Sequence, residues 1–133
     1  MWLFDTVALS EARKKNPNAG FSGWAAEIVA SDVHTSVLCL GEIRRGIERL
    51  PPGEARSAFE RWLDSDLPAY LDGRVLELDA ACAHAWGRMG ANRSLPPIDS
   101  LIAATALVHG LTVVTRNTRD FDGLGVPVLN PWN

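Results

Sequence analysis

The chain has 133 residues, 47% of them hydrophobic and 22% charged, and its formal net charge is −3. These values predict one domain with a core of ordinary size and exclude a strongly basic nucleic-acid-binding protein. The longest apolar tract, 101–114, contains polar residues and is too short to span a bilayer. No leader pattern is present, and the two cysteines lack metal-binding spacing, so we expect a cytoplasmic protein with reduced thiols.

Apolar runs and periodicity predict alternating strands and helices along the chain. Short strands are predicted at 2–4, 33–37, 74–78, 111–114 and 126–129. Helices are predicted at 21–31, 38–50, 53–71, 80–89 and 98–109, with Asp79 as an N-cap and Gly110 as a left-handed end. This alternation predicts an α/β fold with a parallel sheet covered by helices.

Four acidic residues are predicted to lie at one edge of this sheet. They are Asp5, Glu42, Asp99 and Asp120, which follow strands or open helices. Parallel sheets bind ligands outside the carboxyl ends of their strands. Repulsion between two such carboxylates is about 4 kcal/mol at about 4 Å with an effective dielectric near 20, so the group requires protons or a cation. Oxygen ligands without a Cys/His set favour Mg²⁺ or Mn²⁺ over zinc.

Each acid also has a structural explanation when it is taken alone. Asp5 and Asp120 are typical of turns, Glu42 could pair with Arg45 one turn later, and Asp99 could cap a helix. The shared edge of the sheet favours the metal-site interpretation. A phosphatase or receiver domain is disfavoured because Val7 stands where a second Asp is needed and because no lysine occurs late in the chain.

Five segments carry a resemblance that runs along the whole chain. They are 3–6 (LFDT), 40–47 (LGEIRRGI), 97–106 (PIDSLIAATA), 114–121 (VTRNTRDF) and 128–132 (VLNPW). Together they resemble PIN-domain toxins of the VapC type, most closely the FitB-like branch. The resemblance implies a PIN-like three-layer fold, with a short parallel central sheet flanked by helices, and a single PIN domain over residues 1–133.

The same resemblance implies a Mg²⁺- or Mn²⁺-dependent endoribonuclease that hydrolyses RNA with a metal-activated water. It implies the toxin of a type II toxin-antitoxin pair, a VapB- or FitA-like DNA-binding antitoxin, a homodimer and no membrane partner. By position, Asp5 and Asp99 would be the main metal ligands, with Glu42 and Asp120 binding directly or through water. The groups that would orient these acids or the phosphate are Thr6, Thr115 and Asn117. The candidate RNA contacts are Arg44, Arg45, Arg116 and Arg119.

Two features depart from the family pattern. Val7 stands where members usually carry Asn, and the loop 90–95 before Asp99 is shorter and less basic than the family implies. Asp122 lies near Asp120, but the Asp120-Phe121 pair fits the family pattern better. The departures motivate an alternative hypothesis, a catalytically inactive PIN-fold binding module.

Overall fold

Five short parallel strands form the central sheet of the computed structural model, which describes residues 1–133. They are β1 (Trp2–Phe4), β2 (Val33–Ser36), β3 (Val75–Leu76), β4 (Thr112–Val114) and β5 (Val128–Leu129). The strand order is β3-β2-β1-β4-β5, and every neighbouring pair is parallel. The predicted α/β fold with a helix-flanked parallel sheet is therefore confirmed.

Seven helices connect the strands and flank the sheet. They are α1 (Thr6–Arg13), α2 (Ala19–Ala25), α3 (Val37–Glu48), α4 (Glu54–Arg61), α5 (Leu67–Leu71), α6 (Ala80–Met89) and α7 (Pro97–His109). The bounds of α6 match the prediction, and the Asp79 side chain caps it by accepting from the Cys82 amide at 3.0 Å. Gly110 ends α7 at φ 66°, a left-handed conformation that glycine adopts without steric cost.

The predicted helix over 53–71 is confirmed as one helical segment over 54–71 that ends at Asp72, but a π-helical turn at Trp62–Asp66 lies between α4 and α5. Pro68 lies in the first turn of α5 and has no amide hydrogen for the carbonyl four residues earlier. The wider turn before it accommodates that missing bond. The predicted helix 21–31 ends early, at Ala25, and is followed by a 3₁₀ turn at Ala30–Asp32.

The central strands position the candidate site. β1 lies between β2 and β4, so the chain builds the sheet outward on one side and then on the other. The carboxyl ends of β1 and β4 are therefore the point where the strand order reverses, which is where such sheets bind ligands. Leu3 and Val113, on these two strands, are fully buried in the core. A buried centre of this kind gives the adjoining loops a rigid support.

The five tryptophans lie in several distinct environments. Trp2 packs edge-on against Trp24 with ring centroids 5.2 Å apart, and Trp132 packs against Phe21 at 4.9 Å. The two terminal tryptophans thus pack on α2, and each contributes to one aromatic cluster beside the core.

No helix has both the length and the apolar character that crossing a membrane requires.

Candidate active site

Asp5 lies at the carboxyl end of β1 and begins α1. Its carboxylate accepts a hydrogen bond from the Ala8 amide at 2.9 Å and so caps the helix. Its own amide donates to the Val114 carbonyl at 3.2 Å, which extends the pairing of β1 with β4. Burial raises the pKa of Asp5, and the negative charge of Glu42 adds to the rise. The carboxylate is thus fixed where a negative charge is costly.

Glu42 lies in the second turn of α3 and is tied to α1. The Thr6 hydroxyl donates to Glu42 Oε1 at 2.6 Å. The start of α3 is itself capped, because Ser36 Oγ accepts from the Leu38 amide at 3.1 Å. The ion pair with Arg45 does not form, so the structural explanation offered for Glu42 is wrong.

Asp99 lies in the first turn of α7, and its carboxylate is half-buried. Pro96 occupies the N-cap position, so Asp99 is not the cap. Burial is the main cause that raises the pKa of Asp99 to about 6. The remaining causes are negative charges, which come from Asp120, Glu42 and Asp5. The other three predicted acids therefore lie close enough for their charges to act on Asp99.

The residues after β4 complete this edge of the sheet. Thr115 is buried directly beyond β4, and its hydroxyl lowers the pKa of Asp5 and accepts from the Asn117 amide at 2.9 Å. Asn117 is exposed and precedes the 3₁₀ turn Thr118–Phe121. Asp120 lies in that turn and is exposed, whereas Asp122 has no effect on the pKa of Asp99. Of the two acids in this loop, Asp120 is therefore the one whose charge acts on Asp99.

The donor set fits a hydrated divalent cation. No three Asp, Glu, His or Cys side chains lie close enough together to enclose a metal ion. Mg²⁺ usually retains several waters and binds through one or two carboxylates, so it does not require such a cage. The repulsion that raises the pKa of Asp99 is the interaction that a cation would relieve. The residues are therefore suited to Mg²⁺ or Mn²⁺ held partly through water.

The predicted arginines differ in their availability. Arg44 forms an ion pair with Asp64, which lies in the π-helical turn. Arg45, Arg116 and Arg119 are exposed and form no ion pair. These three arginines are free to meet a phosphate group.

Trp86 is a neighbour of the site that the sequence analysis did not identify. Its indole nitrogen donates to Ser100 Oγ at 3.0 Å, which places the ring beside the residue that follows Asp99. The sequence predicts no functional role for Trp86, which is 40% exposed in the structure. The contact crosses from α6 to α7, and no local pattern in the sequence indicates it.

Known proteins are similar to this chain in sequence and in fold. The family model described as a PIN domain matches residues 3–126. The chain is 30% identical to VapC ribonuclease Y4jK of Sinorhizobium fredii, across 99% of this chain and 98% of that protein. It is also 30% identical to toxin FitB of Neisseria gonorrhoeae, across 100% of this chain and 99% of that protein. The crystal structure of FitAcB from Neisseria gonorrhoeae superposes with a TM-score of 0.90 at 30% identity, covering 100% of this chain and 99% of that chain.

Proposed function

The chain belongs to the PIN-domain family, among its VapC and FitB toxins, and on that premise we propose that it is a Mg²⁺- or Mn²⁺-dependent endoribonuclease. It acts as the toxin of a type II toxin-antitoxin pair. One observation carries the proposal. The negative charges of three acids at the carboxyl edge of the sheet raise the pKa of the half-buried Asp99, and these acids are Asp120, Glu42 and Asp5.

Asp5 and Asp99 would hold the metal, with Glu42 and Asp120 contributing directly or through water. When bound, the cation supplies a water of lowered pKa and stabilises the charge that develops on the attacked phosphate. Asp5 is suited to its role because the amide of Ala8 and the buried end of β1 fix its carboxylate. An acid fixed in advance requires no reorganisation during the reaction.

Thr6 and Thr115 are proposed to orient the acids. Thr6 holds Glu42 by a short hydrogen bond between two helices, and Thr115 lies beside Asp5. Such partners fix the direction of a ligand's oxygen atoms. Asn117, held at its amide by Thr115, exposes its side chain where a scissile phosphate would lie.

Arginines supply the proposed contacts to the RNA backbone. Arg45, Arg116 and Arg119 are free of ion pairs, so they can neutralise phosphates without first breaking an internal contact. Arg44 would have to leave Asp64 before it could do the same, which makes it the weakest of the four candidates. Because the net charge is −3, binding depends on these local contacts and on the cation.

The proposed protein partner is an antitoxin of the VapB or FitA kind. A groove of about 250 Å³ beside Glu42 is lined by residues of α1, α3 and α4, including Ile43, Ile47 and Phe59. An apolar segment of the antitoxin would fit this groove and cover the acids. We also propose a homodimer, for which the exposed side chains of Leu107 and Val108 offer an apolar surface.

The proposed activity is tested by cleavage of single-stranded RNA with Mg²⁺ or Mn²⁺. The variants Asp5→Asn and Asp99→Asn should lose at least about 100-fold in rate, because each removes a metal ligand while its shape is retained. Asp122→Asn is the matched control, since this exposed acid lies close in sequence to Asp120 but does not act on Asp99. It should cleave like the wild type.

Two results would overturn the proposal. The first is equal cleavage by the wild type and both acid variants, and the second is cleavage that persists with excess chelator. A folded protein that binds neither metal nor RNA would instead support the inactive PIN-fold module, the alternative that Val7 motivates.

A further inference from the structure

A small cleft lies at the carboxyl-terminal end of α6, against the loop that leads to α7. It has a volume of about 220 Å³ and is lined by Trp86, Gly87, Gly90, Arg93 and Leu95. One wall is the indole of Trp86, and Arg93 supplies the only charged side chain in the lining. The cleft takes no part in the metal site or in the groove proposed for the antitoxin.

The indole of Trp86 is held in place but is not covered. Its nitrogen donates to Ser100 Oγ at 3.0 Å, and that oxygen is itself fixed because it donates to the Pro97 carbonyl at 3.2 Å. Ser100 is fully buried, whereas the Trp86 side chain is 40% exposed. An aromatic ring with its polar edge bound and a large part of its surface free is suited to stacking.

The floor of the cleft depends on small residues. A Cβ at Gly90 would lie 2.7 Å from Leu95 Cδ1, so glycine lets the Leu95 side chain pack closely against the end of α6. Gly87 is different, because a Cβ added there would meet nothing within 4 Å. The cleft is therefore open at Gly87, and a side chain introduced at that position would occupy it without disturbing the core.

Arg93 gives the cleft a positive charge. One of its guanidinium nitrogens, Nη1, donates to the Gly123 carbonyl at 3.0 Å, which orients the group across the loop. Arg93 forms no ion pair, so its charge is not neutralised within the chain. A stacking surface beside an unpaired guanidinium matches a nucleotide, which presents a flat base and a negative phosphate.

We propose that this cleft binds one base of the RNA substrate, stacked on Trp86 with its phosphate near Arg93, next to the scissile phosphate at Asp99. The inference rests on the proposed ribonuclease function and makes Trp86 a positioning residue for that reaction. Stacking tolerates every base, so this contact sets the position of the strand more than its sequence.

The test measures binding of a labelled single-stranded RNA to the Asp5→Asn protein with Mg²⁺, together with kcat and KM of the active enzyme. Adding Trp86→Ala should weaken binding and raise KM by about tenfold, with kcat nearly unchanged. Trp86→Phe should keep most of the affinity because its ring still stacks. Gly87→Leu should weaken binding as Trp86→Ala does, since the leucine would fill the cleft. An abasic site at the stacked position should cost as much as Trp86→Ala, and the two losses should not add.

Tyr70→Ala is the matched control, because Tyr70 is an exposed aromatic residue on α5 that does not line the cleft. It should bind RNA like the parent. Cleavage by the wild type with an unchanged KM in Trp86→Ala would overturn this inference alone. Dissociation of a dimer by Trp86→Ala in sedimentation would overturn it as well, since the face would then be a protein interface. A wild type that neither binds nor cleaves RNA would overturn both this inference and the proposed function.

Discussion

The Thr6 hydroxyl lies 2.6 Å from Glu42 Oε1 and joins the helix after β1 to the helix after β2. The bond spans 36 positions in sequence and lies at the border of the metal site and the apolar groove. Because Asp5 caps α1 and Glu42 lies in α3, this bond fixes the positions of the two acids relative to each other.

We predict that Thr6→Val lowers cleavage by about 10- to 100-fold while the protein stays folded, because Glu42 loses the group that orients it. Thr6→Ser should restore most of the rate, since it restores the hydroxyl. Ser10→Ala, on the same helix and lining the same groove, is the control and should have little effect. Full activity in Thr6→Val would show that the hydrogen bond has no part in catalysis.

Asp99 should make the metal-free protein less stable at neutral pH. Its pKa is about 6 in the folded chain against an ordinary value of 3.8, so the folded state binds more protons between these values. Stability from this group is therefore lost as the pH rises through that window. With chelator present, Asp99→Asn should melt at a higher temperature than the wild type at pH 7, and the gap should close near pH 4.

Asp122→Asn provides the control for this measurement and should shift the melting temperature little at either pH. An Asp99→Asn protein that is less stable than the wild type at pH 7 would contradict the interpretation of Asp99 as a repelled carboxylate.

Glu11 should hold the carboxyl-terminal segment of the chain in place. It accepts from the Asn18 amide at 2.8 Å, from Lys14 Nζ at 3.0 Å and from the Trp132 indole at 3.3 Å. The bond from the Asn18 amide is the main cause that lowers its pKa below 4.5. A lowered carboxyl pKa stabilises the fold above that value and ceases to do so as the pH falls through the folded pKa.

We therefore expect Glu11→Gln to lower the melting temperature at pH 7, with the deficit shrinking in acid below pH 4.5. Glu27→Gln, at an exposed position, is the matched control. A deficit that stays constant down to pH 3 would show that the charge of Glu11 contributes nothing.

The thiol of Cys39 should be unreactive in the folded protein. Burial raises its pKa to about 11, and the charges of Asp5 and Glu42 add to the rise. Because the thiolate is the reactive form, labelling by a maleimide at pH 7.5 should require unfolding. Rapid labelling of Cys39 in the native state, read by mass spectrometry, would show that the buried surroundings of this thiol open to solvent.

The sequence predicted the elements that local chemistry specifies. The apolar runs around Leu3 and Val113 indicated strands, and Asp79 marked the start of α6 correctly. The strand order and the π-helical turn were not predictable, because they depend on pairing between distant segments and on how the chain accommodates Pro68.

The same division applies to the candidate site. Asp5 could be placed at the end of β1 from the apolar run before it, and Asp99 could be placed in the first turn of the helix predicted over 98–109. The Thr6 bond to Glu42 and the Trp86 bond to Ser100 each cross between two helices, so no local pattern indicates either contact. The family resemblance identified Thr6 without its partner, and it gave no indication of Trp86.

Asp5 and Asp99 are proposed to hold a hydrated divalent cation, with Glu42 and Asp120 contributing directly or through water. Calorimetric titration of the folded protein with Mn²⁺ tests this proposal most directly, comparing the wild type with the Asp5→Asn/Asp99→Asn double variant. We expect saturable binding by the wild type that a chelator reverses, and no measurable binding by the double variant. A folded wild type that binds no Mn²⁺, or a double variant that binds it equally well, would contradict the account.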